Sequence, residues 1–265
     1  MAIILKATLE KEWLKQKLLL YKTQRELSEK EKIPIHVIEN NIRFFNLKGY
    51  KDSIRYTCVE EKFSLNNPEF CYLLGLYVTD GYWNEGGLCI SLLDKDVLER
   101  LGKIFDCRVY LHPREGKASV YILTIPTRFC NYFKVLGYSI GAKTFTIKLP
   151  SLPIPTENLK YIIRGMIDGD GTIRKGIHEY ECRFFSASKL LLENYKCMLT
   201  YLGYTYTLAN HVKYGESTVS VASLDFLLYI YTDRLDLCLD RKLKIVNNKV
   251  DDIVHTYSIV KNRRM

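Results

Sequence analysis

Two short segments of this 265-residue chain carry residue types that could do chemistry together. Leu73-Leu74-Gly75-Leu76-Tyr77-Val78-Thr79-Asp80-Gly81 and Ile163-Arg164-Gly165-Met166-Ile167-Asp168-Gly169-Asp170-Gly171 are apolar runs that hold a glycine and close on Asp-Gly. They lie 90 residues apart (170 − 80), so the body of the chain reads as two copies of one unit. Each run sits where a helix should finish, and a helix C-terminus carries partial negative charge that favours cations. Asp80 and Asp170 stand there instead. Brought together about a pseudo-twofold, the two carboxylates would also repel each other. A cation between them offsets both penalties. Carboxylates with the helix-end carbonyls of Thr79 and Gly169 make the oxygen set that Mg²⁺ prefers, with Mn²⁺ as a substitute.

Elements must hold those acids in place. Gly75 and Thr79 lie four apart on one helix face, as do Gly165 and Gly169, and small residues at that spacing let two backbones approach closely. Asn67-Pro68-Glu69 supplies an N-cap, a first-turn proline and a first-turn acid for a helix ending at Gly81; Thr156-Glu157 opens its counterpart, ending at Gly171. Period-2 alternation follows each helix. Phe105, Cys107, Val109 and Leu111 alternate with Asp106, Arg108, Tyr110 and His112, beside Val120–Ile125. Thr205 and Thr207 alternate with Tyr204, Tyr206 and Leu208, beside Thr218–Val221. Further helices begin near Asp94 and Ser188. The expected fold is α+β, a pseudo-twofold pair of α-β-β-α-β-β-α units over residues 67–152 and 153–265.

A different pattern precedes them. Trp13, Leu14, Lys17, Leu18 and Tyr21 form a helical stripe, Thr23 with Glu26 matches a capping box, and Pro34 marks a turn before a helix from Ile35 to Phe45. Three helices with a tight break before the last suggest a helix-turn-helix-like module over residues 1–48, although its turn lacks a glycine. The last helix would present His36, Glu39, Asn40, Asn41 and Arg43, types able to pair with base edges. A small helical bundle with a solvated polar face is the plainer alternative. Residues 49–66 read as a charged connector.

Composition bounds the partners. The net charge of +9 favours a polyanion, and a pI near 9.0 agrees. Eight cysteines show no C-x-x-C spacing, so they read as reduced core residues and not as a zinc site. No apolar run approaches a membrane span, and Met1-Ala2-Ile3-Ile4-Leu5 is too short for a secretory core; the expectation is an intracellular soluble protein with no membrane partner.

With these motifs in hand, residues 67–265 resemble a single-chain LAGLIDADG homing endonuclease. The family's catalytic acid falls on Asp80 and Asp170, and its helix-packing glycine on Gly75 and Gly165. The sixth-position acid is Asp168 in one copy and Val78 in the other. Gly141-Ala142-Lys143-Thr144 with Leu149-Pro150, and Leu239-Asp240-Arg241-Lys242, resemble the tails of the two units. The resemblance implies active-site lysines at Lys143 and Lys242. It gives no counterpart for a water-ordering polar strand residue, because Ile90 and Phe184 are apolar. It implies a monomer whose two sheets form a saddle along the major groove of a long double-stranded DNA site. Arg108, Tyr110 and His112 would read one half, and Arg183, Thr205, Thr207 and Ser220 the other. Mg²⁺-dependent double-strand cleavage leaving short 3′ overhangs is implied, in the cytoplasm or nucleoid of a prokaryotic or phage-infected cell, or in an organelle. Two alternatives share the architecture: an intron maturase that binds RNA, and a non-cleaving LAGLIDADG/helix-turn-helix transcription regulator, in which the acids are degraded and the module order reversed.

Overall fold

A computed structural model describes residues 9–21, 23–47, 61–141, 143–175, 180–211, 215–233 and 235–248. Two compact units are present, Met1–Glu61 and Lys62–Met265.

The first unit contains α1 (Lys11–Leu20), α2 (Gln24–Glu31) and α3 (Ile35–Phe44). Leu14, Leu27, Ile38, Ile42 and Leu47 are buried together at its centre, with Trp13, Leu18, Tyr21 and Phe45 packed around them. Thr23 Oγ1 accepts the Glu26 N–H at 3.0 Å, as the capping pattern predicts. Glu31 clamps α1 to α2 by accepting from Lys17 Nζ (2.6 Å) and Tyr21 OH (2.5 Å). The turn without a glycine is made by Lys32, which takes the left-handed conformation at φ 55°. That costs a non-glycine residue about 1–2 kcal/mol.

The second unit contains the repeat. Its first half runs α4 (Pro68–Asp80), β1 (Gly81–Asn84), β2 (Gly87–Leu92), α5 (Lys95–Phe105), β3 (Arg108–Arg114), β4 (Lys117–Ile125) and α6 (Cys130–Val135). Its second half runs α7 (Leu159–Asp170), β5 (Gly171–Lys175), β6 (Tyr180–Ser186), α8 (Lys189–Tyr201), β7 (Thr207–His211), β8 (Glu216–Ala222) and α9 (Leu224–Tyr231), followed by a helix over residues 240–248, α10. Both sheets are antiparallel with the same order, β1-β2-β4-β3 and β5-β6-β8-β7. The expected α+β repeat is therefore the observed one.

Local signals explain the starts. Asn67 Oδ1 accepts the Phe70 N–H at 2.8 Å, and Pro68 fills the first turn of α4. From Phe70 to Val78 every α4 residue is buried, which marks a central helix apolar on all sides. Thr156-Glu157 opens a short 3₁₀ turn (Thr156–Asn158), and α7 proper begins at Leu159.

Register separates two faces. Gly81, Ile90, Leu123 and Val109 form one cross-strand row, and Gly171, Phe184, Val219 and Leu208 its counterpart. Helices cover these faces: an added Cβ on Gly102 of α5 would meet Val109, and Tyr195 of α8 lies 4.9 Å from the Phe184 ring. The opposite faces carry the rows Tyr82–Cys89–Thr124–Arg108 and Thr172–Arg183–Ser220–Thr207.

Several expectations need correction. Phe105 ends helix α5 and is buried there, and Asp106 turns at φ 50°, so β3 begins only at Arg108. As the sheet's edge strand, β3 leaves Leu111 52% exposed, because no further strand or helix covers it. Thr205 precedes β7 and is not in the sheet. The connector assigned to residues 49–66 ends sooner: Phe63 is buried, stacked 4.9 Å from Phe129, and Lys62 Nζ donates to the Ile104 carbonyl at 2.9 Å. Residues 48–60 lie outside the described residues, as do 1–8, Ala142 and 249–265. Cys71, Cys89, Cys130, Cys182 and Cys238 are buried as expected, whereas Cys197 is exposed. Among the described residues no helix is long and apolar enough to cross a membrane.

The halves also exchange their tails. After the first half, the Ile147 carbonyl accepts from Ser188 Oγ (2.6 Å) and the Leu149 N–H donates to Asn194 Oδ1 (2.8 Å), both in the second. After the second half, Arg100 of α5 donates to the Cys238 carbonyl (2.8 Å) and Asp240 (3.0 Å). Each half therefore fixes the segment that carries the other's lysine.

Candidate active site

The site begins at the crossing of α4 and α7. A Cβ on Gly75 would stand 2.3 Å from the Ile162 carbonyl oxygen, and one on Gly165 would stand 2.3 Å from that of Tyr72. The two glycines face each other across the crossing, and only hydrogen fits between the backbones. Further along, a Cβ on Gly169 would meet Thr79 Oγ1 at 2.0 Å and Asp80 Oδ2 at 2.5 Å. The first half's carboxylate is thus pressed against the end of the second half's helix, next in sequence to Asp170. The helix-end acids converge.

Their electrostatics match the sequence argument. Asp80 is half-buried, and its Oδ2 is buried without a hydrogen-bond partner. Burial, and then the charge of Asp170, push its carboxyl up to about 7, against the pull of Lys143 and Lys242. Asp170 is more exposed, yet loss of surrounding water and the nearby Glu216 raise it too. A partly desolvated carboxylate with one buried oxygen unpartnered, beside another carboxylate, is a cation-binding arrangement. Among the described residues no cluster of three or more His, Cys, Asp or Glu supplies a closed metal cage. Two carboxylates with open positions suit Mg²⁺, which keeps several waters of its own. The Thr79 carbonyl, expected as a further ligand, already accepts from Lys143.

Lys143 and Lys242 occupy matching places. Lys143 Nζ donates to the carbonyls of Tyr77 (2.5 Å) and Thr79 (3.2 Å), at the end of α4. Lys242 donates to the carbonyls of Ile167, Asp168 (3.0 Å) and Gly171 (2.8 Å), at the end of α7. Both set a cation on the negative helix end. They are not equivalent. Lys242 is only 2% exposed with all three ammonium hydrogens engaged, so its reach is limited to backbone. Lys143 is half-buried and lines a cleft with Thr79, Asp170 and Glu216, and burial lowers its amine to about 8.

Asp168, the acid unmatched in the first copy, is fully buried. It accepts from Tyr72 OH (2.8 Å), Tyr231 OH (2.7 Å) and the Leu239 N–H (2.9 Å). It therefore ties α7 to α4, to α9 and to the tail bearing Lys242. Arg164 adds to this anchor: 1% exposed, it pairs with Asp233 and donates to the carbonyls of Ile230, Leu235 and Leu237. Neither carries its partner in the local sequence, so neither role was legible there. Ile90 and Phe184, where no water-ordering residue was found, are fully buried in the helix-covered faces.

The expected DNA readers divide. Arg108, Tyr110 and His112 alternate along the open face of the first sheet, all exposed. Thr205 and Thr207 are exposed, and Arg183 is half-buried and ion-paired to Glu181 at 2.9 Å. Ser220 is a correction: it lies 8% exposed between Arg183 and Thr207 in register, because its small side chain sits below its longer neighbours. In the first unit His36, Asn40 and Arg43 are exposed on α3. Asn41 is the second correction. It is buried at 5%, accepts the Leu9 N–H (3.0 Å) and donates to the Val37 carbonyl (2.9 Å), so it holds the module together. Glu181, Glu216 and Arg174 were not singled out; their signal was the period-2 alternation, which places each on an open-face position.

No curated protein matches the sequence. Mesophilic variants of the homing endonuclease I-DmoI align with a TM-score of 0.48 and 13% identity, over 71% of this chain and 98% of theirs. Full-length DUF199/WhiA from Thermatoga maritima aligns at 0.48 and 14% identity, over 77% and 71% of the respective chains. I-DmoI in complex with DNA and Mn aligns at 0.43 and 15% identity, over 63% and 98%. By sequence, residues 157–249 match the family model described as "LAGLIDADG-like domain". The matched stretch, similar to a LAGLIDADG-like domain, holds Gly165, Asp168, Asp170 and Lys242.

Proposed function

We propose that the chain is a site-specific double-strand DNA endonuclease, acting as a monomer because both acids of the site come from one polypeptide. The observation that carries this reading is the placement of the Asp80 carboxylate against Gly169, with Oδ2 buried and unpartnered beside Asp170. Such an arrangement is costly to fold without a divalent cation and has no evident structural use. Asp80 and Asp170 would hold Mg²⁺, or Mn²⁺ in its place, which when bound supplies an acidified water and stabilises the leaving 3′ oxygen. Lys143 keeps a positive charge beside that position at neutral pH, since its amine titrates at about 8. There it offsets charge building on the phosphate. Lys242 acts as a positioning residue: by saturating the carbonyls at the end of α7 it fixes the direction in which Asp170 leaves the helix. The open sheet faces would lie along the major groove, and cleavage would leave short 3′ overhangs.

The first unit would add contacts through His36, Asn40 and Arg43, which remain exposed on α3. Incubation with Mg²⁺ and a plasmid library of randomised sites, with sequencing of the cut ends, tests the reading. Linearisation at a defined long site by the wild type is expected. Asp80→Asn and Asp170→Asn should each retain binding to that site and lose double-strand cleavage. Duplex binding with no cutting under any divalent ion would leave the non-cleaving regulator, and exclusive binding of structured intron RNA would leave the maturase.

A further inference from the structure

The open face of the second sheet holds a cluster that the cleavage site does not use. Arg174 of β5 and Glu181 of β6 are direct register partners, and Arg183 lies two residues along β6 on the same face. Arg174 donates through Nε to Glu181 Oε2 at 2.7 Å, while Arg183 Nε lies 2.9 Å from Oε1. One carboxylate therefore holds two guanidiniums, Arg174 by hydrogen bond and Arg183 by an ion pair in which its buried Nε makes no hydrogen bond. The carboxylate is the most enclosed of the three, with its side chain 15% exposed against 52% for Arg174 and 26% for Arg183. The first sheet has nothing comparable: register matches these three positions to Asn84, Gly87 and Cys89.

Charge argues against a phosphate patch. Glu181 cancels about one of the two positive charges, and a carboxylate among phosphate ligands repels the ligand. What survives is directional donation from two braced planar forks. That suits the N7 and O6 acceptors of guanine, which are uncharged and lie side by side in the major groove. We infer that Arg174 and Arg183, held by Glu181, read guanines in the half of the target that lies under the second sheet. The inference rests on the proposed placement of DNA on the sheet faces and names the base chemistry recognised there.

The test is a binding selection on randomised duplexes in Ca²⁺, read by sequencing, with the wild type, Arg174→Ala, Arg183→Lys and Glu181→Gln. Wild type should enrich guanines at two fixed positions of the half-site under the second sheet. Arg183→Lys keeps the charge but loses the fork, and should reduce discrimination at one such position about tenfold or more with overall affinity held. Arg174→Ala should do so at a second position of the same half-site. Glu181→Gln should bind random duplex at least as tightly as wild type while losing preference at both positions. Unfolding midpoints near wild type would show that these effects are not loss of fold. Selected sites without guanine dependence, or a uniform affinity loss in Arg183→Lys with preferences intact, would overturn the inference. Neither outcome touches the nuclease reading, which plasmid linearisation decides separately; cleavage failure with guanine selection intact would remove the nuclease and leave this reader standing.

Discussion

Gly75→Ala sets two physical effects of opposite sign against each other at the helix crossing. Taken alone, α4 should gain, because alanine in a helix interior is favoured over glycine by about 1 kcal/mol. The crossing says otherwise. The new Cβ would sit 2.3 Å from the Ile162 carbonyl oxygen, where ordinary contact begins at 3.4 Å, so the backbones must part by about 1.1 Å (3.4 − 2.3). All three obstructing atoms nearest it belong to backbone, which cannot rotate aside as a side chain can. Overpacking of this kind costs roughly 1–3 kcal/mol or more, and parted helices forfeit a quarter to a half of their dispersion contacts over such a gap. Every residue of α4 from Phe70 to Val78 is buried, so the loss spreads along the helix. The net expectation is destabilisation by about 2 kcal/mol or more after the propensity gain. Gly165→Ala should behave alike, since its Cβ meets the Tyr72 carbonyl oxygen at the same 2.3 Å. One separation relieves both clashes, so the double variant should cost less than the two singles added. Equilibrium urea unfolding, comparing midpoints at constant slope, measures all three. A single variant as stable as wild type, or strictly additive losses, would refute the close-crossing argument.

Other expectations follow from the site. In chelator, wild-type stability should fall as pH rises from about 4 to 7: native Asp80 titrates at about 7 against an ordinary 3.8, so the folded state binds the extra proton over that window. Asp80→Asn should reduce this slope to the share left by Asp170 and be the more stable protein at pH 8, by at most about 4 kcal/mol; a variant less stable than wild type at pH 8 would contradict the burden assigned to that carboxylate. Tyr72→Phe removes one donor from the buried Asp168 and should cost about 1.5–3 kcal/mol by urea unfolding, without touching either helix-end acid. Lys242→Met should destabilise strongly by removing a buried donor from three carbonyls, of which that of Ile167 keeps the Gly171 N–H, whereas Lys143→Met should act chiefly on the cleavage rate. The reverse ranking in paired stability and cleavage assays would exchange the two roles.

Much of this was legible in the chain because it depends on near neighbours. Helix starts at Asn67 and Thr23 follow from capping, which needs only three residues of context. The paired Asp-Gly endings and four-spaced small residues announced a helix crossing with acids at its end, because period and terminus are local properties. Strand faces followed from alternation even at β3, where Arg108, Tyr110 and His112 share the open face; the exposure of Leu111 escaped it, because no local pattern records an edge position. Asn41 was misread for the same kind of reason: its exposure depends on Leu9 folding back across 32 residues.

The sequence by itself determined the repeat, the acid at each helix end, the small residues behind it and the alternation of the strands, since backbone geometry imposes these periods on any chain. Tertiary structure alone decided what those acids meet. Asp80 is pressed against Gly169, Asp168 is silenced by Tyr72 and Tyr231, and Glu181 binds two arginines. The distinction has one cause: a carboxylate's charge state and freedom depend on the groups that surround it in space, and long-range packing chooses those.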